Sequence, residues 1–113
     1  MNKFLTLLLL MATITLTAQK KTIEKSAKKI TKEMTEVMSL SDIQSADVYE
    51  IQLEKIKQSR KVREENIGDK EAIKKGKWKI QKASTFKLIK LVGKEKFAAW
   101  REYYKAKVDK SKK

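Results

Sequence analysis

The chain has 113 residues, with 28 Lys and Arg against 14 Asp and Glu, no Cys, no His, no Pro and three Gly. That length allows one small domain with a thin core. Without Cys there is neither a disulfide nor a thiolate metal site, and without His the commonest general base and metal ligand is gone. Most hydrolase and metalloenzyme plans are thereby excluded. What remains is a basic, exported, all-α protein that binds something, with no enzymatic activity and no cofactor.

Met1-Asn2-Lys3, the apolar run from Phe4 to Leu16 and Thr17-Ala18 before the polar Gln19-Lys20-Lys21 have the three-part form of a secretory leader. Cleavage is expected after Ala18, although Leu16 is larger than usual at the −3 position. A retained helix of about 13 apolar residues would span about 20 Å, short of the ~30 Å hydrocarbon core. The expected organisation is a leader at 1–18, a helical domain at 19–107 and a disordered basic tail at 108–113, in a periplasmic or secreted protein. Losing Lys3 with the leader lowers the net charge from +14 to +13.

From Thr22 to Met38, the residues Ile23, Ala27, Ile30, Met34 and Val37 hold the 4-3-4-3 spacing of one helical stripe, with Lys25, Lys28, Lys29 and Lys32 off it. Ser39-Leu40-Ser41 interrupts that helix. Ser41 and Gln44 then fit a capping box, and Asp42 suits a helix N-terminus. The second helix is expected from Asp42 to about Glu65. Ala46, Tyr49, Leu53 and Ile56 form one stripe and Val48, Ile51 and Val62 nearly the opposite one. Two stripes imply two partners, one inside the monomer and the other a second subunit or a client, unless the second is scattered surface apolars.

Asn66-Ile67-Gly68-Asp69 reads as a turn. The third helix, Lys70 to Val92, has a face of Ala72, Ile73, Ile80, Ala83 and Leu91, weakened by Gly76. From Phe86 onward apolar residues surround it, so this end should be the most buried. Gly93 either caps the helix or lets it bend. Phe97, Trp100 and Tyr104 give a last helix to about Lys107. The architecture expected is three to four helices built on a long helical hairpin.

The positive charge is uneven: 70–113 carries a net +12, while 41–66 carries a net −1. It is densest around Lys74, Lys75, Lys77 and Trp78. Nucleic acid is a poor fit, because 25 of the 28 basic residues are Lys, which lacks the planar fork that reads bases. Anionic membrane surface, glycan or captured acidic and unfolded protein segments suit the patch better, and a solvated lysine face that keeps the protein soluble is the bland alternative. Trp78 is either an exposed contact for a client or a core anchor with snorkelling lysine neighbours. The core reading is favoured, as it is for Phe97, Trp100, Tyr103 and Tyr104.

Leu40-Ser41-Asp42-Ile43-Gln44 resembles the LTxxQ motif of the periplasmic Spy/CpxP family, with Ser41 in place of Thr. A degenerate second copy stands at Val92, Gly93, Lys96 and Phe97, where Gly93 replaces Thr and Lys96 replaces Gln. The resemblance covers about Thr35 to Lys105. It implies a thin dimeric cradle of long antiparallel helices, a homodimer, that acts as an ATP-independent chaperone or restrains an envelope sensor kinase. Its clients, unfolded or partner proteins, would meet a concave surface of mixed apolar and basic groups, assigned here to Val48, Ile51, Lys74, Lys75, Lys77 and Trp78. The family's metal-binding branch does not fit a chain without His and Cys. The competing expectation is a secreted polyanion-binding protein.

Overall fold

A computed structural model describes residues 2–112, with side chains from Gln19 to Lys112. The chain is all-α. Its helices are α1 Asn2–Met38, α2 Asp42–Glu65, α3 Lys70–Val92 and α4 Lys94–Ser111, and no strand occurs among the described residues. Thr22 was the expected start of the first helix, but the backbone is already helical from Asn2. A 37-residue helix is about 56 Å long, close to the molecule's longest extent of 61 Å. The leader expectation rests on side chains 1–18, which lie outside the described ones.

α1 turns its expected stripe inward: Ile23, Ala27 and Met34 are buried, Ile30 and Val37 pack against the core, and Met38, outside that stripe, is buried as well. Its C-terminus closes with Ser39 at φ 51° and a hydrogen bond from Leu40 N–H to the Thr35 carbonyl, 3.1 Å. This is the six-to-one bond of a Schellman end, with serine where glycine is usual. Thr35 gives its hydroxyl proton to the Thr31 carbonyl at 2.7 Å, so Ser45 of α2 donates to Thr35 Oγ1 at 2.8 Å and ties the two helices beside the turn.

α2 starts and stops where its caps and turn residues require. Its buried residues, however, are Val48 and Gln52. The stripe expected to face the core is half-exposed at Tyr49, Leu53 and Ile56 and exposed at Ala46. The two stripes therefore exchange roles, because α1 and α3 both pack on the Val48 side. The turn to α3 ends at Asp69, whose Oδ1 accepts the Ala72 N–H at 3.1 Å.

α3 meets α2 near this turn at Gly76, where a Cβ would lie 2.6 Å from Val62 Cγ1. At the other end, Val48 shares a cluster with Leu88 and Val92. Gly76 thus sets how closely the helices approach. The buried face of α3 is Ile80, Ser84, Leu88 and Val92, a four-residue repeat that includes only Ile80 of the expected face. Phe86 is 70% exposed: the C-terminal half of α3 is covered on the α2 side, and Phe86 falls on another.

Gly93 ends α3 and begins α4 at φ 91°, ψ 158°, a region essentially open to glycine alone. Its N–H donates to the Ile89 carbonyl at 2.8 Å and its carbonyl accepts Phe97 N–H at 3.1 Å, so it caps both helices. α4 then packs on α1 as well as α3, with Phe97 and Trp100 buried. It continues to Ser111, past Lys107 and through most of the stretch expected to be a disordered tail. Tyr103 and Tyr104, expected in the core, are 39% and 50% exposed, and Tyr104 lines an opening between helices rather than the packed core.

Each helix packs on two others, α1 on α2, α2 on α3, α3 on α4 and α4 on α1. The main core, Met34, Met38, Val48, Leu88, Val92, Phe97 and Trp100, sits at the end of this ring that holds the α1–α2 and α3–α4 junctions.

Candidate functional site

The capping box expected at Ser41 is formed. Ser41 Oγ accepts the Gln44 N–H at 3.2 Å, and the Gln44 Oε1 accepts the Ser41 N–H at 3.2 Å. Leu40 packs against the main core. The second motif arrives at the same place: Val92 and Phe97 belong to that core, and Lys96 Nζ reaches the Ser39 carbonyl at 3.5 Å. The two motif segments thus close one end of the molecule around shared apolar contacts. Gly93 supplies only backbone groups to its cap, and no side chain replaces the missing hydroxyl.

The residues assigned to clients separate into two groups. Val48 has no exposed surface and Ile51 packs against the core, so both are corrected to core positions. Their side of α2 is filled by α1 and α3. Lys74 and Lys75 are exposed and Lys77 is half-buried. Trp78 is 62% exposed, which corrects the core reading. Lys82 Nζ lies 5.6 Å from its ring centroid, a cation–π contact on an open face.

Trp78 also stands at the edge of a groove of about 1040 Å³ between α3 and α4. The α3 wall is Trp78, Lys82, Phe86 and Ile89, a second helical stripe beside the buried one. The α4 wall includes Trp100, Arg101, Tyr104 and Lys105. Trp100 holds Tyr104 in a tilted ring contact at 5.9 Å. The floor comes from across the ring, from Ile30 and Met34 of α1 and Gln52 and Lys55 of α2. The groove is an opening into the interior between four helices, lined by apolar groups and edged by cations.

Two ionic features bear on it. Lys107 Nζ pairs with Glu33 Oε1 at 2.7 Å and holds α4 to α1. That hydrogen bond raises the Lys107 pKa, against a smaller effect of burial. Lys55 is half-buried, and loss of water lowers its pKa. Among the described residues no group of three or more acidic side chains could hold a metal ion, and no helix is long and apolar enough to cross a membrane.

Reasoning from the sequence missed Gln52, Lys55, Phe86 and Arg101 as site residues. The available signal was Trp78, Lys82, Phe86 and Ile89 at 4-4-3 spacing, a stripe in its own right. These features define an all-α fold with an open groove of mixed apolar and basic character. Compared with known proteins, the chain matches no family model, no curated protein and no solved structure.

Proposed function

We propose that this protein is an ATP-independent chaperone or envelope-stress accessory protein that holds unfolded or partner proteins on a mixed apolar and basic surface. It works in the periplasm or outside the cell, as a homodimeric cradle of the Spy/CpxP kind. The observation that carries this reading is the α3–α4 groove, which leaves Trp78 and Phe86 exposed beside Lys82, Arg101 and Lys105. Exposed aromatics in a basic setting suit a holding surface: cations speed encounter with acidic segments and apolar walls retain them without a demand for one sequence. The resemblance at Leu40–Gln44 and the secretory form of 1–18 agree with it.

An aggregation assay tests the proposal. The protein should delay light scattering by a denatured client at stoichiometric ratios, at both ~50 mM and ~200 mM salt. Pure polyanion binding would instead weaken steeply across that range, as phosphate-contacting proteins do. A protein that neither delays aggregation nor binds an unfolded chain at either salt sinks the holding reading. Peripheral contact with anionic membrane is read from vesicle co-sedimentation under the same conditions.

A further inference from the structure

The groove floor contains polar groups that the rest of the molecule does not satisfy well. Gln52 and Lys55 sit three residues apart on α2, so their side chains are neighbours on one face. Gln52 is only 5% exposed, and its Nε2 has Met34 Sδ for a partner at 3.5 Å, a weak acceptor. Lys55 is half-buried. Among the described residues the ion pairs are Lys61–Glu65 and Lys107–Glu33, so no acid reaches its ammonium. Burying a cation without an anion is costly. The groove's own acids, Glu102 and Asp109, both on α4, are outnumbered by Lys55, Lys82, Arg101 and Lys105, which leaves it with an excess of positive charge.

Dimensions narrow the ligand. The α3 wall runs from Trp78 to Ile89 and the α4 wall from Phe97 to Asp109, each about 17–18 Å at 1.5 Å per residue. That is about three helical turns between two helices, the setting for a helix laid in a groove. We propose that the groove receives one amphipathic helix of a partner protein, about three turns long, whose apolar face carries a single Asp or Glu that docks on Lys55 and Gln52. This rests on the holding function and gives it a preferred segment: apolar residues at helical spacing with one acid among them. The carboxylate supplies the missing anion to Lys55 and an oxygen acceptor to Gln52, while aliphatic side chains cover Phe86, Ile89, Trp100 and Tyr104. A fatty-acid carboxylate could meet Lys55 alone but would leave both helical walls largely uncovered.

The test uses a fluorescein-labelled, 14-residue helical peptide with a Leu/Ile face and one central Glu, and the same peptide with Gln. Fluorescence anisotropy with the full chain should show the Glu peptide binding about tenfold or more tighter, as expected for a charge-assisted contact. Lys55→Met should abolish that preference without weakening the Gln peptide. Phe86→Ala, at a largely exposed position, should weaken both, and Lys25→Gln, exposed on α1 outside the groove, neither. Circular dichroism melts confirm that each variant is folded. Equal binding of the two peptides, an undiminished preference in Lys55→Met, or Lys55-dependent binding of laurate with none of either peptide each overturns the proposal. If Lys55→Met and Phe86→Ala still suppress aggregation as the parent does and the peptides do not bind, the holding function stands without this groove. If aggregation is never suppressed yet the Glu preference appears, the groove assignment stands and the general holding function falls.

Discussion

At the scale of single residues, Ser41 and Lys55 make opposite demands on stability. Ser41 exchanges two hydrogen bonds with Gln44 at the start of α2. Ser41→Ala removes the acceptor for the Gln44 amide and should cost about 1 kcal/mol, which is about 4–8 °C in a domain of this size. A thermal melt that moves by less than a degree would mean that solvent replaces the cap without loss. Lys55 works the other way. Burial lowers its pKa below the ordinary 10.5, while the unfolded chain keeps the proton up to about that value. Between the folded and unfolded values the unfolded state binds more protons, so this group makes stability rise with pH across that window. Below it, the cost of a desolvated charge is constant. Lys55→Met should stabilise the neutral-pH protein by up to about 1 kcal/mol, a figure kept small because water still reaches the side chain. It should also flatten the rise on the alkaline side as pH climbs to 10.5. Urea titrations of the two proteins across that range isolate the effect from the other lysines, and parallel curves would contradict it.

At the scale of elements, the α2–α3 contact depends on Gly76. Alanine would gain roughly 0.8–1.0 kcal/mol of helix propensity over glycine, but its Cβ would lie 2.6 Å from Val62 Cγ1. The obstacle is a β-branched side chain with little freedom to turn within a helix, and overpacking of this kind costs about 1–3 kcal/mol. Gly76→Ala should therefore be neutral to destabilising, by up to about 2 kcal/mol. In a Val62→Ala background the same change should become stabilising, so a double-mutant cycle reads the sign reversal. Elements of this kind were legible in the sequence wherever a local rule governed them. Ser41 with Gln44, Asp69 and Gly93 mark ends by backbone chemistry that operates within four residues, and α2 and α3 begin and end where those residues stand. The stripe of α1 was legible because it packs one side inward. The inner side of α2 was not: both of its stripes have helical spacing, and only the arrival of α1 and α3 on the Val48 side selects between them. The groove is further from the sequence still. Lys55 and Phe86 are 31 positions apart on different helices, and neither is unusual until α4 leaves Gly93 and stands across from α3.

At the scale of the molecule, charge opposes folding. The 28 basic side chains face 14 acidic ones, and the described residues form only two ion pairs, Lys61–Glu65 at 3.9 Å and Lys107–Glu33 at 2.7 Å. The first is exposed on both sides and contributes little, while in the second Glu33 is half-buried. Meanwhile Lys82, Arg101 and Lys105 line one groove with Lys55. At ~10 mM salt the screening length is about 30 Å, comparable with the shorter extents of 35 and 30 Å, so every lysine of α3 feels those of α4. At ~150 mM it falls to about 8 Å, and repulsion across the groove fades while the contact between Lys107 and Glu33 is reduced less. The melting temperature should therefore rise as NaCl goes from ~10 to ~150 mM, since net self-repulsion destabilises the compact state. A fall would mean that ion pairing outweighs repulsion and that the lysine-rich half is better compensated than its geometry implies. The same field gives the groove's acidic occupant a role that salt can imitate. The Glu-bearing peptide should raise the melting temperature more at ~10 mM than at ~150 mM NaCl, because at low salt it neutralises repulsion as well as covering apolar walls. The Gln peptide lacks the charge and should raise it by a smaller amount that changes little with salt.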